Sequence, residues 1–162
     1  MSVKKFRVMF VCLGNICRSP MAEFVFRDMV KKAGLEDRFE ITSAATSTWE
    51  VGNPPHCGTQ AELKKHGISC SGKRSTLLKQ SDYDHYDLLL GMDRENIRDM
   101  KRLFNGDPEG KVHLLKEYST GGEVDDPWYS GDFKTTYEDV SLACFELLNQ
   151  LSKQLNYTDC NF

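Results

Sequence analysis

The sequence predicts an α/β domain: a doubly wound parallel sheet of four strands with helices on both faces. Three observations predict it. Phe6–Cys12 is a short, apolar, Val- and Phe-rich run met at once by Gly14 and Asn15, as expected of a buried central strand. A helix follows, and further apolar runs then alternate with helical segments. The chain closes on a stripe at Tyr137, Val140, Cys144, Leu147 and Leu151, which steps by 3, 4, 3 and 4 along a long amphipathic helix.

Each element has its own signal. In the first helix Ser19 is suited to cap and Pro20 to open, Lys31 and Lys32 suit the last turn, and Gly34 suits the stop. Arg38–Ala44 reads as the second strand. Asn53-Pro54-Pro55 breaks the chain before a helix over Gln60–His66, ended by Gly67. Tyr86–Met92 is the third apolar run, and Asp93 caps the helix after it. Asn105-Gly106-Asp107-Pro108 is a turn, Val112–Leu115 the fourth strand, and the Gly-, Asp- and Pro-rich stretch Tyr118–Asp132 a loop. Cys144, on the helical stripe, reads as a small buried apolar residue.

At 162 residues the chain is sized for one domain, 1–162. No stretch approaches the ~18 consecutive apolar residues of a membrane helix. The apolar run near the N-terminus is short, is interrupted by Arg7 and lacks a small-residue cleavage site. A soluble, cytoplasmic protein with no membrane partner is expected. Residues 1–40 carry eight basic against five acidic side chains, and the rest of the chain is acidic. That is no basic stripe for duplex nucleic acid, so none is expected as a partner. The six cysteines form no C-x-x-C pair and the four histidines fall at no zinc spacing, so reduced thiols and no metal are expected.

The chemistry concentrates in Val11-Cys12-Leu13-Gly14-Asn15-Ile16-Cys17-Arg18-Ser19-Pro20. This loop puts a thiol at a strand end, an arginine six residues on, and a helix N-terminus just beyond. Successive backbone N–H groups of Leu13, Gly14, Asn15, Ile16, Cys17 and Arg18 can converge on one anion, aided by the helix dipole. The Arg18 fork can bind two phosphoryl oxygens at once. The same positive field favours a thiolate at Cys12, so a nucleophile sits in a phosphate cradle.

These residues resemble the signature loop of the low-molecular-weight protein tyrosine phosphatases. Ser43-Ala44-Ala45-Thr46-Ser47, Gly52-Asn53-Pro54-Pro55, Met92-Asp93 and Asp126-Pro127-Trp128-Tyr129 resemble that family's other motifs, in order, over nearly the whole chain. The resemblance implies a single flavodoxin-like domain. It implies hydrolysis of phosphotyrosine in proteins through a phosphocysteine intermediate, without cofactor. Cys12 corresponds to the nucleophile, Arg18 to the phosphate clamp and Asp126 to the general acid and then base. Asp125 competes with Asp126 on sequence alone; the Asp-Pro match favours Asp126. Asn15, Ser19 and Ser43 match positions that brace the loop, and Ser19 is also placed to donate to the thiolate. Trp49, Trp128 and Tyr129 match the walls of a slot deep enough for a phenyl ring.

Ile16 stands where a related branch acting on phosphoarginine carries Thr, which favours tyrosine here. Some members carry a histidine where this chain has Gly72, and that leaves the bracing network open to question. Cys17, five residues from Cys12, is placed to capture an oxidised Cys12 as a disulfide; the alternative is that it packs beneath the loop. The oligomeric state is open on sequence alone, with a monomer among the readings.

Other readings carry less. Gly67–Arg74 nearly spells a nucleotide-binding loop, but Arg74 replaces the magnesium-binding hydroxyl and the segment follows a helix. Asp82–Asp87 reads as a solvated loop before a strand, not a metal site. Thioredoxin-coupled arsenate reduction needs a further cysteine pair near the third strand, yet no cysteine lies between Cys70 and Cys144. A non-catalytic phosphotyrosine-binding module would have lost Cys12, Arg18 or Asp126.

Overall fold

The computed structural model describes residues 4–159. Four parallel strands form one sheet in the order β2-β1-β3-β4. They are β1 (Phe6–Cys12), β2 (Phe39–Ala45), β3 (Leu88–Gly91) and β4 (Val112–Leu114). The chain leaves β1 for β2 on one side and then crosses to β3 on the other. The strand order therefore reverses at the C-terminal end of β1, where a doubly wound sheet opens a crevice for ligands. Cys12 is the last residue of that strand.

Side-chain alternation along β1 builds both layers. Val8, Phe10 and Cys12 face a core shared with α1 (Arg18–Lys32) and α6 (Phe133–Asp159). Here Phe26 meets Phe10 and Phe39 edge-on, each with ring centroids 5.7 Å apart. Met9 and Val11 face the other core, with Leu89, Val112 and the α4 (Arg94–Phe104) residues Met100 and Phe104. Val140, Cys144, Leu147 and Leu151 are buried along α6, as the stripe requires. Burial drives the Cys144 thiol pKa upward, the behaviour of an inert packing residue.

Several boundaries differ from expectation. Helix α1 begins at Arg18, with Cys17 at the N-cap position and no side-chain cap. Ser19 is not the cap, because its hydroxyl is drawn to Cys12 and Asn15. Helix α2 (Cys57–Lys65) starts three residues earlier than predicted because the His56 ring caps it. Two segments read as loop contain single-turn helices. In α3 (Asp82–His85), Tyr83 is buried and its hydroxyl donates to Asp107, which converts a polar run into a packed element. In α5 (Pro127–Ser130), Asp126 caps a turn opened by Pro127. Asp93 caps α4 as predicted, reciprocally with Asn96. Among the described residues no helix is long and apolar enough to cross a membrane.

Candidate active site

The loop from Cys12 to Arg18 is held in shape by polar contacts buried beneath it. Asn15 adopts the left-handed region, φ 57°, and is fully buried. Such a conformation costs energy for a non-glycine residue unless its surroundings enforce it. They do: Asn15 Nδ2 donates to Ser19 Oγ at 2.7 Å and to Ser43 Oγ at 2.9 Å, and its Oδ1 accepts the Thr76 N–H. Ser43 Oγ donates to Glu23 Oε1 at 2.6 Å. The predicted bracing trio Asn15, Ser19 and Ser43 is thus one connected network.

Two members of that network had no signal in the sequence. Glu23 is a carboxylate inside α1, 3% exposed. Lys73 neutralises it, with Nζ 3.0 Å from Glu23 Oε1 and 3.0 Å from the Ser43 carbonyl. The lysine beside Gly72 therefore supports the network where the resemblance looked for a histidine. Ser75 Oγ adds a bond to the Gly14 carbonyl.

Cys12 Sγ sits at the base of this loop, 2% exposed. Ser19 Oγ lies 3.0 Å from it and the Asn15 N–H points to it at 3.3 Å. Both contacts suit a sulfur that carries negative charge. Arg18 is fixed from two sides: Nη1 donates to Asp93 Oδ2 at 2.7 Å and to the Val124 carbonyl at 3.0 Å. Burial opposes its charge, but Cys12, Asp93 and Asp126 outweigh burial and raise its pKa. Asp126 Oδ2 faces Arg18 Nη2 at 3.5 Å, and Asp126 Oδ1 accepts the Trp128 N–H. Asp125 is exposed and is not among the residues lining the cleft.

Cys12, Leu13, Gly14, Ile16, Cys17, Arg18 and Asp126 line a cleft of about 150 Å³ together with Trp49, Glu50, Trp128 and Tyr129. The structure therefore brings together every predicted residue except the buried braces Asn15, Ser19 and Ser43, which stand behind the loop. Trp49, Trp128 and Tyr129 are 77%, 56% and 83% exposed, so they are rim residues and not core. Glu50 was not predicted; its stem packs over the loop where Gly14 has no side chain, 3.3 Å from where a Cβ would sit.

Cys17 is buried, 5% exposed, at the edge of the cleft lining. Burial first, then the charges of Cys12 and Asp126, push its thiol up to about 12. Among the described residues no group of His, Cys, Asp or Glu is arranged to hold a metal.

The sequence model of the low molecular weight phosphotyrosine protein phosphatases matches residues 7–157. The chain belongs to this family. It is 39% identical to the low molecular weight protein-tyrosine-phosphatase YfkJ of Bacillus subtilis over 150 residues, covering 91% of this chain and 96% of that one. The crystal structure of YfkJ superposes with a TM-score of 0.91 over 94% of this chain and 98% of its own. The low molecular weight phosphotyrosine protein phosphatase of Gallus gallus is 43% identical over 88% of this chain and 94% of its own. A Drosophila arginine phosphatase is also similar, at 29% identity and a TM-score of 0.82 over 89% of this chain and 96% of its own. Membership of the low molecular weight phosphatases makes the chain a hydrolase, and its four-stranded parallel sheet is the flavodoxin-like fold of these neighbours.

Proposed function

We propose that the chain, as one domain over 1–162, removes phosphate from phosphotyrosine in proteins by a two-step mechanism through Cys12. The carrying observation is the convergence of a buried sulfur, an oriented guanidinium and a carboxylate on one aromatic-walled cleft. In the first step the Cys12 thiolate attacks phosphorus, forming an S–P bond as the P–O bond to tyrosine breaks. The Asp126 carboxyl gives its proton to the departing tyrosine oxygen. In the second step water attacks phosphorus, Asp126 takes a water proton, and the S–P bond breaks to return the thiolate and inorganic phosphate.

The electrostatics fit this sequence. Both Nη1 hydrogens of Arg18 are used by Asp93 and Val124, so the phosphoryl group is met by Nε–H and Nη2–H. The N–H groups of Leu13, Gly14, Ile16, Cys17 and Arg18 bind the remaining oxygens, while that of Asn15, expected among them, is turned to Cys12 Sγ. No step requires a metal or cofactor. The aromatic rim of Trp49, Trp128 and Tyr129 suits the flat face of a phenyl ring.

Phosphoarginine is the rival substrate, given the similarity to an arginine phosphatase. Ile16 lines the cleft with an apolar side chain that offers a guanidinium no acceptor, which favours tyrosine. The test is turnover on phosphotyrosine, phosphoserine and phosphoarginine peptides without added metal or thioredoxin. The proposal requires hydrolysis of phosphotyrosine well above the other two. Equal or faster release from phosphoarginine overturns the substrate assignment. The five described cysteines are free thiols, which supports an enzyme of a reducing compartment such as the cytoplasm.

A further inference from the structure

His56 touches two parts of the site, the phosphate loop and Trp128, without entering it. Its backbone N–H donates to the Ile16 carbonyl of the phosphate loop at 2.8 Å. Its Nδ1 accepts the Gly58 N–H at 3.0 Å and caps α2, which places the ring proton of the neutral imidazole on Nε2. The ring stacks on Phe133, centroids 5.1 Å apart at 18°, and meets Trp128 edge-on at 5.6 Å and 80°. Gly58 makes the stack possible, since a side chain there would collide with the Phe133 ring.

Trp128 links this bracket to the chemistry. It is more than half exposed and belongs to a helix of only four residues, so the core does not hold it. Its backbone N–H nevertheless donates to Asp126 Oδ1 at 3.0 Å. A displacement of Trp128 is therefore felt directly at the carboxylate.

We propose that His56 is a positioning residue: its imidazole, clamped between Phe133 and Trp128, holds α5 and the Asp126 carboxylate in register with the phosphate loop. The inference rests on Asp126 being the proton donor. It predicts that the ring of His56 serves leaving-group protonation, while its Nδ1 acceptor serves only the start of α2. The two roles separate by substitution. His56→Asn keeps a capping acceptor and removes the ring. His56→Phe keeps a ring and removes the acceptor.

The experiment measures kcat and KM for each variant on a phosphotyrosine peptide and on p-nitrophenyl phosphate, whose leaving group departs without a proton. Asp126→Asn is run in parallel. His56→Asn should lower kcat on phosphotyrosine about tenfold, with KM and the nitrophenyl rate held within about twofold. His56→Phe should keep the wild-type ratio between substrates. Phe133→Leu removes the ring behind His56 while leaving the cap, and should show the same selective loss to a smaller extent; it tests the clamp if His56→Phe does not fold. In a Trp49→Phe background, Trp128 is the sole tryptophan, and its fluorescence anisotropy should fall with His56→Asn. Equal loss on both substrates, or no loss, with His56→Asn overturns the inference. So does a selective loss in His56→Phe as large as in His56→Asn. If Asp126→Asn itself shows no dependence on the leaving group, the proton-donor reading fails and takes this inference with it. A normal Asp126→Asn beside an unaffected His56→Asn overturns the inference alone.

Discussion

Arg18 and Asp93 share a 2.7 Å hydrogen bond from Nη1 to Oδ2, while the other oxygen of Asp93 caps α4 by accepting the Asn96 N–H at 2.8 Å. One carboxylate thus ties the guanidinium in the cleft to the helix that follows β3. Because Arg18 is almost wholly buried, loss of Asp93 removes its shortest charged hydrogen bond and leaves Nη1 held only by the Val124 carbonyl.

The first prediction separates those two duties. Asp93→Ser retains a capping oxygen but is too short to hold Arg18. Its melting temperature should fall by only a few degrees, whereas kcat/KM should fall on the order of 10²-fold through misplacement of the clamp. Asp93→Ala should lose a further ~1 kcal/mol from the missing cap, read as a lower midpoint in urea.

The second prediction concerns the acidic pair. Asp126→Asn should slow a phosphotyrosine peptide by roughly 10²–10⁴-fold and p-nitrophenyl phosphate far less. Asp125→Asn should leave both rates near wild type, since its side chain is exposed and outside the cleft lining. Steady-state assays on the two substrates decide between them.

The third prediction tests the buried brace. Asn15→Ala loses three hydrogen bonds and forces a Cβ residue to keep φ 57°, so stability should drop by roughly 2–4 kcal/mol along with activity. Asn15→Gly relieves the backbone cost alone. It should recover part of the stability and little of the activity, as seen by denaturation and turnover of the same samples.

The strand, loop and first helix were legible because their signals are local: an apolar run, glycine in the loop, and Ser-Pro before a periodic helix. The same local signals misled over Ser19. Its position imitates a helix cap, yet its hydroxyl serves Cys12 and Asn15 from inside the first turn. Helices α3 and α5 span four residues each, too few to show a period, so they read as loop. Glu23 and Lys73 lie fifty positions apart and meet only when β2 and the segment after α2 pack against α1. Nothing in their spacing announces the pair. Lys73 sat instead in a near-match to a nucleotide loop, whereas its ammonium turns inward to Glu23. Asp93 was legible as a cap, but its bond to Arg18 depends on the order of strands in the sheet.

The fourth prediction concerns oxidation. Capture of a Cys12 sulfenic acid by Cys17 would require that thiol to ionise, and burial holds it up to about 12. The thiolate fraction then rises about tenfold per pH unit below that value. After equal peroxide treatment and thiol reduction, wild type should recover more activity than Cys17→Ser, and its advantage should grow from pH 7 to pH 9. Recovery equal in both proteins at every pH would make Cys17 a packing residue alone.

The most direct test of the central claim is to quench the enzyme during turnover of a phosphotyrosine peptide and weigh the peptide that carries residues 12–18. The account predicts a mass gain of one phosphoryl group, localised to Cys12, that disappears in Cys12→Ser while that variant still binds inorganic phosphate. The trapped fraction should rise when Asp126→Asn slows the attack of water more than the first step on p-nitrophenyl phosphate. Continued hydrolysis by Cys12→Ser, or full turnover in the wild type with no phosphorylated Cys12, would contradict a covalent mechanism at this loop.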